Sequence, residues 1–416
     1  MSGTNRKLIA VAVTGVFAMP LMAQAQSNVT ISGRLYPEIV NAKVSGATPA
    51  GTPAAAMSTL TAVPATTAAD QSGLSMDSPN SRLRISGKED LGGGTKAIFQ
   101  LEMGFGVDDG TNSSSTAGAL FSRNTFVGMT GSFGTVKLGS MDTVYKEIGD
   151  TLSLLGVTSG NFMSASNILS KTGFGTGSSA SSFHLRRGNS IWYETPETKG
   201  FTGLFDYSLG EVPGSNSAGR VMSMGMQYEG ERLYLALAHE IHDNLFGLSR
   251  SLASKLRSTT LNPAATSKDK GTRLTAQYKF SKEDRVEFNF ANMSFDEQGG
   301  AVGTAASYKH NSWAIIGEHK IKNVTLVGSY GQASAGSCAM VGNVACNTTG
   351  LDGKMFNIGA GYVFSKRTTL FAFYTKMING NSAVYTNIGN GNLANGGKPF
   401  TGQDISTVAV GIKHDY

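Results

Sequence analysis

Long apolar runs are almost absent from these 416 residues. The one example, residues 8–22, follows Arg6 and Lys7 and ends at the small-residue stretch Ala23-Gln24-Ala25. That is the layout of an export leader, with Gln26 opening the mature chain, so residues 1–25 are set apart from 26–416. The leader's core is too short and poorly flanked for a membrane anchor. Beyond it no run approaches the length of a membrane helix, so no helical span is expected. Proline is scarce at 10 residues and tryptophan scarcer at 2. Charge is mild: the formal net charge is +6, and Arg6 and Lys7 of the leader contribute to it. No basic run is interleaved with aromatics, which argues against a nucleic-acid partner.

Metal and catalytic signatures are also thin. His239-Glu240-Ile241-His242 has two histidines three apart on a predicted strand, where they point to opposite faces. The metalloprotease spacing requires a helix. Gly173-Phe174-Gly175-Thr176-Gly177 resembles a phosphate loop but lacks the following Lys-Ser/Thr. No Ser/His/acid set is found, so neither an enzyme nor a metal or other cofactor is expected. There are 2 cysteines, Cys338 and Cys346, close together in a loop. Two thiols without a nearby histidine make an incomplete zinc site. In an exported chain they predict a disulfide closing that loop.

What is abundant is glycine, 53 residues, with Ser and Thr, and a two-residue hydrophobic period. In Val29-Thr30-Ile31-Ser32-Gly33-Arg34-Leu35-Tyr36 the odd positions are apolar, leaving Thr30, Ser32, Arg34 and Tyr36 together. In Ser81-Arg82-Leu83-Arg84-Ile85-Ser86-Gly87-Lys88, Leu83 and Ile85 share one face and Arg82, Arg84, Ser86 and Lys88 the other. Lys96 to Met103 continues the pattern after a Gly92-Gly93-Gly94 turn. Further strands are read near 121–128, 133–138, 189–193, 201–209, 221–228, 233–241, 273–280, 285–295, 313–319, 324–330, 356–364, 368–377 and 405–416. Residues 40–78 and 243–270 are read as external loops without a period. About 16 strands, with short turns alternating with long loops, fit a closed antiparallel barrel with an apolar outside and a polar inside. Closure removes the sheet edges, which lipid does not tolerate.

One insertion interrupts the rhythm. Residues 139–187 hold no clear period over a length unusual for a compact domain, and such loops tend to be functional. Between strands of a closed sheet, this stretch is expected to fold inward and narrow the lumen over about 140–185. An external surface loop is the alternative.

Several stretches, in order, resemble the trimeric general porins of Gram-negative outer membranes, and their β-proteobacterial branch in particular. They are Val29-Thr30-Ile31-Ser32-Gly33, Ser86-Gly87-Lys88-Glu89-Asp90-Leu91-Gly92-Gly93-Gly94, the segment from Arg123 to Gly128, and Phe133-Gly134-Thr135-Val136-Lys137-Leu138-Gly139. Ser365-Lys366-Arg367-Thr368 and Gly411-Ile412-Lys413-His414-Asp415-Tyr416 complete the set. The terminal Tyr416 stands where that family mostly ends in Phe. The resemblance implies an all-β, 16-stranded transmembrane barrel with an inward third loop, assembled as a homotrimer in the outer membrane among lipid and lipopolysaccharide. It also implies a C-terminal signal at Tyr416 for the barrel-assembly machinery, and passive diffusion of small hydrophilic solutes.

In such porins a narrow eyelet sets basic wall residues against acids on the third loop. Arg34, Arg82 and Arg123 fall where the family places its basic residues. Arg84 shares the face of Arg82, and Arg186 has the parity of Ser190 and Trp192, which favours it over Arg187. Glu147 and Asp150 lie nearest the expected acid positions, although the acidic motif of enterobacterial relatives is absent. With Asp142 the loop offers three acids, partly offset by Lys146 and Lys171, so small anions should be favoured. A barrel whose external loops serve adhesion or structure, with little transport, is the competing reading.

Overall fold

In the computed structural model the chain closes into a 16-strand antiparallel β-barrel. The described residues are 28–56, 58–62, 69–111, 120–156, 162–174, 182–211, 219–258, 264–387 and 399–416, with backbone alone for 53–56 and 58–62. The expected leader, residues 1–25, lies outside them.

The wall begins with β1, which runs in two segments, Asn28–Leu35 and Glu38–Ser45. Strand β2 is likewise divided into Gln71–Asp77 and Arg82–Gly92. Then follow β3 (Thr95–Gly104), β4 (Thr125–Gly131), β5 (Gly134–Asp142), β6 (Arg186–Glu194), β7 (Phe201–Ser208) and β8 (Arg220–Glu229). The far side holds β9 (Leu233–Asp243), β10 (Thr266–Lys279), β11 (Asp284–Gln298) and β12 (Ala305–Ile321). Strand β13 is again split, Val324–Ala333 and Ser337–Met340, before β14 (Gly353–Val363), β15 (Thr368–Asn379) and β16 (Asp404–Asp415). Each strand pairs with its sequence neighbours, and β16 closes on β1, with Arg34 opposite Asp415 and Glu38 opposite Gly411. At the seam Gly33 and Tyr416 exchange backbone hydrogen bonds of 3.1 and 3.2 Å. Glycine is required at position 33, because a Cβ there would come within 2.5 Å of the Tyr416 ring.

Alternation explains both surfaces. Along β10, Asp269, Arg273, Thr275 and Gln277 are buried inside, while Leu274 and Tyr278 are exposed outside. Leu74, Val127, Leu237 and Ile358 add to an apolar outer belt of the kind that faces lipid. Aromatic pairs Phe201–Tyr228, Tyr278–Phe280 and Tyr362–Phe364 lie near the short turns, as an interfacial girdle would. Among the described residues no helix is long and apolar enough to cross a membrane, and crossing falls to the strands.

The expected loop over 40–78 needs correction. Val40, Ala42 and Val44 are buried at alternate positions, so β1 continues to Ser45, and β2 starts already at Gln71. A separate hairpin, Pro53–Ala56 with Ser58–Ala62, lies between them. The small side chains gave too weak a contrast to reveal the period. The loop over 243–270 is shorter too, since β10 begins at Thr266. Strand β4 begins at Thr125 rather than near 121, which leaves Arg123 in the preceding turn. Strands β1 and β2 break at one level. Pro37 has no N–H to give, and Tyr36 N donates instead to Ser81 Oγ at 2.8 Å.

The third loop folds inside the barrel. It carries two short helices, α1 (Val144–Glu147) and α2 (Ser166–Leu169). Its apolar side chains enter two wall clusters. Val144, Tyr145 and Ile148 pack with Ala236, Met293 and Phe295, while Leu152, Met163 and Leu169 pack with Phe371, Phe373 and Met377. Each large buried side chain contributes roughly 2 kcal/mol, which offsets about 1–2 kcal/mol of backbone entropy per ordered residue. The loop thus lines one half of the lumen and leaves its polar edge toward the other half.

Candidate functional site

The polar edge of the third loop and the wall formed by β2, β3 and the turn before β4 enclose a cavity of about 240 Å³. Arg82, Arg84, Glu102 and Arg123 line one side, and Asp142, Lys146, Glu147, Asp150 and Gly156 the other. Alternation on β2 brings Arg82 and Arg84 inward, and the register sets Arg34 of β1 directly opposite Arg82.

Three carboxylates here are each shared by two cations. Glu102, 2% exposed, accepts from Arg84 Nη2 at 2.6 Å and from Arg123 Nε at 2.5 Å. Asp142, the last residue of β5, takes Lys146 Nζ at 2.9 Å and Arg186 Nη2 at 2.8 Å. Asp415 takes Arg34 Nε at 2.6 Å and Lys413 Nζ at 3.4 Å. Each triad keeps one net positive charge. Asn124 braces the second, its Oδ1 accepting Arg186 Nε at 2.8 Å and Asp142 N at 3.0 Å.

Arg82 differs from its neighbours. Among the described residues it makes no ion pair and no side-chain hydrogen bond, although Arg34, Arg84, Arg123 and Glu102 surround it. Glu147, exposed at the end of α1, is the one loop acid lining the cavity that has no ion-pair partner among them. Confinement in the neck, and then the nearby Asp142, raise its carboxyl above the ordinary range against the pull of Lys137 and Lys146. A bare guanidinium and a bare carboxylate therefore border the same water-filled neck.

The structure gathers Arg34, Arg82, Arg84, Arg123 and Arg186 around this neck, but in different roles. Arg34 also donates from Nη1 to the Gly156 carbonyl, so it holds the loop as well as carrying charge. Arg186 and Arg187 are not separated by parity, because a bulge between residues 187 and 190 breaks the register with β5. Arg186 joins the Asp142 triad, while Arg187 Nη2 donates to the Gly219 carbonyl at 2.9 Å. Asp150 is engaged on both oxygens, by Arg273 Nη1 at 2.8 Å and by His184 Nε2. Burial opposes its charge, but His184 and Arg273 outweigh burial and hold the carboxylate well below its usual range. Cys338 and Cys346 form a disulfide with Cα atoms 5.8 Å apart, on the second segment of β13 and the loop after it, away from the neck's lining.

Sequence reasoning missed Glu102, Asn124, Asp415 and Arg273 as site residues. Parity alone places Glu102 and Arg273 inside, so their signal was present and unused. Nothing in a linear reading pairs Asp415 with Arg34, since that contact exists only where the barrel closes. His239 and His242 do point to opposite faces, His239 Nδ1 meeting Thr272 Oγ1 at 2.8 Å and His242 buried against Glu240. Among the described residues no group of three or more His, Cys, Asp or Glu is placed to hold a metal ion.

Comparison with known proteins bears on this geometry. Residues 10–382 match the Gram-negative porin family. The chain is 30% identical to the outer membrane porin protein 32 of Delftia acidovorans, over 81% of this chain and 84% of that one. It is 26% identical to the major outer membrane protein P.IB of Neisseria lactamica, over 81% of this chain and 83% of that one. An anion-selective porin from Comamonas acidovorans superposes with a TM-score of 0.67 at 20% identity, covering 94% of this chain and 100% of the other.

Proposed function

This chain belongs to the Gram-negative porin family, diffusion channels of the outer membrane, and on that premise we propose that its neck favours small anions through Arg82. The observation that carries the reading is the unpartnered guanidinium among three triads that each keep a positive charge. Among the described residues, Glu147 is the one loop acid lining the neck that has no ion-pair partner to offset it. A guanidinium presents a fixed donor fork to carboxylate or phosphate and stays charged at all working pH values. In a narrow neck with low-dielectric walls, that field concentrates anions. The anion-selective Comamonas acidovorans relative supports the same preference.

The assembly is a homotrimer set in lipid and lipopolysaccharide, residues 1–25 are the export leader of the mature barrel 26–416, and Tyr416 is the assembly signal. A purely adhesive or structural barrel is disfavoured by the charged neck, which such a barrel has no use for. Single-channel recording in a salt gradient decides the matter. The expected result is stepwise openings with a reversal potential of anionic sign, moved toward cations by Arg82→Gln. A reversal potential indifferent to Arg82→Gln at low salt, in channels that still conduct, overturns the anion reading.

A further inference from the structure

Five consecutive residues of the third loop are each gripped by a side chain of the wall opposite the arginines. Tyr234 Oη donates to the Ile148 carbonyl at 2.8 Å, and Thr275 Oγ1 lies 3.2 Å from the Gly149 carbonyl. Arg273 Nη1 donates to Asp150 Oδ1 at 2.8 Å. Gln277 Nε2 donates to Thr151 Oγ1 at 3.1 Å, and Leu152 N donates to Glu287 Oε2 at 2.8 Å. The centre of this strip is Arg273, which is 1% exposed. Its Nε and Nη2 both donate to Asn289 Oδ1, at 3.0 and 2.8 Å, which fixes the guanidinium against β11. The loop backbone lies directly on the guanidinium: a Cβ on Gly149 would come within 2.5 Å of Nη1.

We propose that Arg273 is the positioning residue of the neck, setting how far the third loop reaches toward the arginine wall and keeping the Asp150 carboxylate paired at the neck's edge instead of free to act on permeating ions. The proposal rests on the reading that this loop forms the channel's constriction. Arg273 does not line the neck's cavity, whereas Asp150 does. Its influence on ions therefore passes through the loop. Without the guanidinium, the buried carboxylate keeps only His184 on its other oxygen, and the favourable response of the half-compensated group is to move toward water. That water is in the neck. Both the width of the neck and its charge then change together.

The test is single-channel recording on purified, refolded channels carrying Arg273→Met, Arg273→Met with Asp150→Asn, Gly149→Ala, and Arg82→Gln in parallel. Arg273→Met should alter the open conductance, add sub-levels, and lower the anion-over-cation permeability ratio by about twofold or more, as one added negative charge in the neck implies. Adding Asp150→Asn should restore the ratio while the altered conductance persists, because the charge is gone but the clamp is not rebuilt. Gly149→Ala changes no charge and displaces the loop, so it should alter conductance with little change in ratio. If Arg273→Met does not yield folded channels, Gly149→Ala alone decides. Wild-type conductance without sub-levels in Gly149→Ala, or in Arg273→Met where it folds, overturns the proposal, as does failure of Asp150→Asn to restore the ratio. Arg82→Gln separates this result from the anion reading: if Arg82→Gln leaves the ratio unchanged while Gly149→Ala alters conductance, positioning stands and anion preference through Arg82 falls.

Discussion

The two walls of the neck use the same residue types to opposite ends. On β1–β4 the arginines outnumber their acids, and Arg82 has no partner among the described residues. On β10 and β11 the buried Arg273 has Asn289 and Asp150 at hydrogen-bond distance from its guanidinium. The guanidinium of the first wall is wet and uncompensated, and that of the second is dry with a partner on each nitrogen. Desolvation explains the contrast. A buried charge is tolerated only when paired and hydrogen-bonded, whereas a charge facing channel water stays solvated and is left to act on ions. An arginine's role therefore follows from its partner count and its access to water.

Equal charge removals on the two walls are the strongest way to break that comparison. Arg82→Gln should lower the anion-over-cation ratio about fivefold, which corresponds to roughly 1 kcal/mol of screened Coulomb energy, and should leave assembly unchanged because no partner is orphaned. Arg273→Met should lower the thermal stability of the assembled barrel by about 3 kcal/mol or more, as expected when one member of a buried pair is removed. Heat-modifiability on gels reads the second and reversal potential the first. If both variants lose stability alike, the two walls do not differ in how they hold their arginines.

Removing an acid from the wet wall sharpens the contrast at a smaller scale. Glu102→Gln frees Arg84 and Arg123 from a shared carboxylate and adds one net positive charge to the neck. The anion preference should rise by about twofold to threefold in dilute salt and by much less at 1 M, where the Debye length is about 3 Å. A fall in anion preference would show that Glu102 shapes the wall more than it offsets its charge.

Glu147 gives a pH dependence whose sign follows from its raised carboxyl. Its carboxyl takes up a proton at a higher pH than an ordinary carboxylate does, and that neutralises the one loop acid lining the neck that has no ion-pair partner among the described residues. Anion preference should therefore increase as pH is lowered, beginning above the ordinary carboxylate range. Asp150 contributes nothing to that change, since its carboxylate is held charged far below this window and the stability it lends is present above its unfolded value. Glu147→Gln should flatten the profile. A profile that is still steep in Glu147→Gln assigns the titration to another group.

The sequence was most legible where chemistry alternates. Leu83 and Ile85 against Arg82 and Arg84 was enough to point two arginines inward, and the aperiodic stretch from Gly139 to Arg187 marked the loop, although β5 runs on to Asp142 within it. It was least legible where small residues blur the period, as at Val40, Ala42 and Val44. Contacts made by closure or by loop docking were invisible. Arg34 with Asp415 joins positions at the two ends of the wall, and Arg273 with Asp150 joins a strand to a loop more than a hundred residues earlier. Parity could place each side chain inside but could not say which of them it would meet. The difference between a free and a compensated arginine is therefore a tertiary property.

The smallest expected effect on conduction lies outside both walls. Cys338 and Cys346 close a short loop, with a sequence separation of 8, beside the cluster that holds Met340 and Tyr308. Neither cysteine lines the neck. Closing so short a loop restricts the unfolded chain and contributes about 2–3 kcal/mol in the loop-entropy picture. Within a barrel fixed by β12 and β14 on either side, that stabilisation should stay local, seen as slower proteolysis of the loop. Cys338→Ser with Cys346→Ser should leave conductance and reversal potential at wild-type values, and reduction of the wild type should do the same. A marked loss of conductance on reduction would mean that this loop communicates with the neck, through the Phe174–Tyr308 contact that joins the third loop to β12. The dry side would then be more than a scaffold, and the division between an acting wall and a holding wall would have to be redrawn to include it.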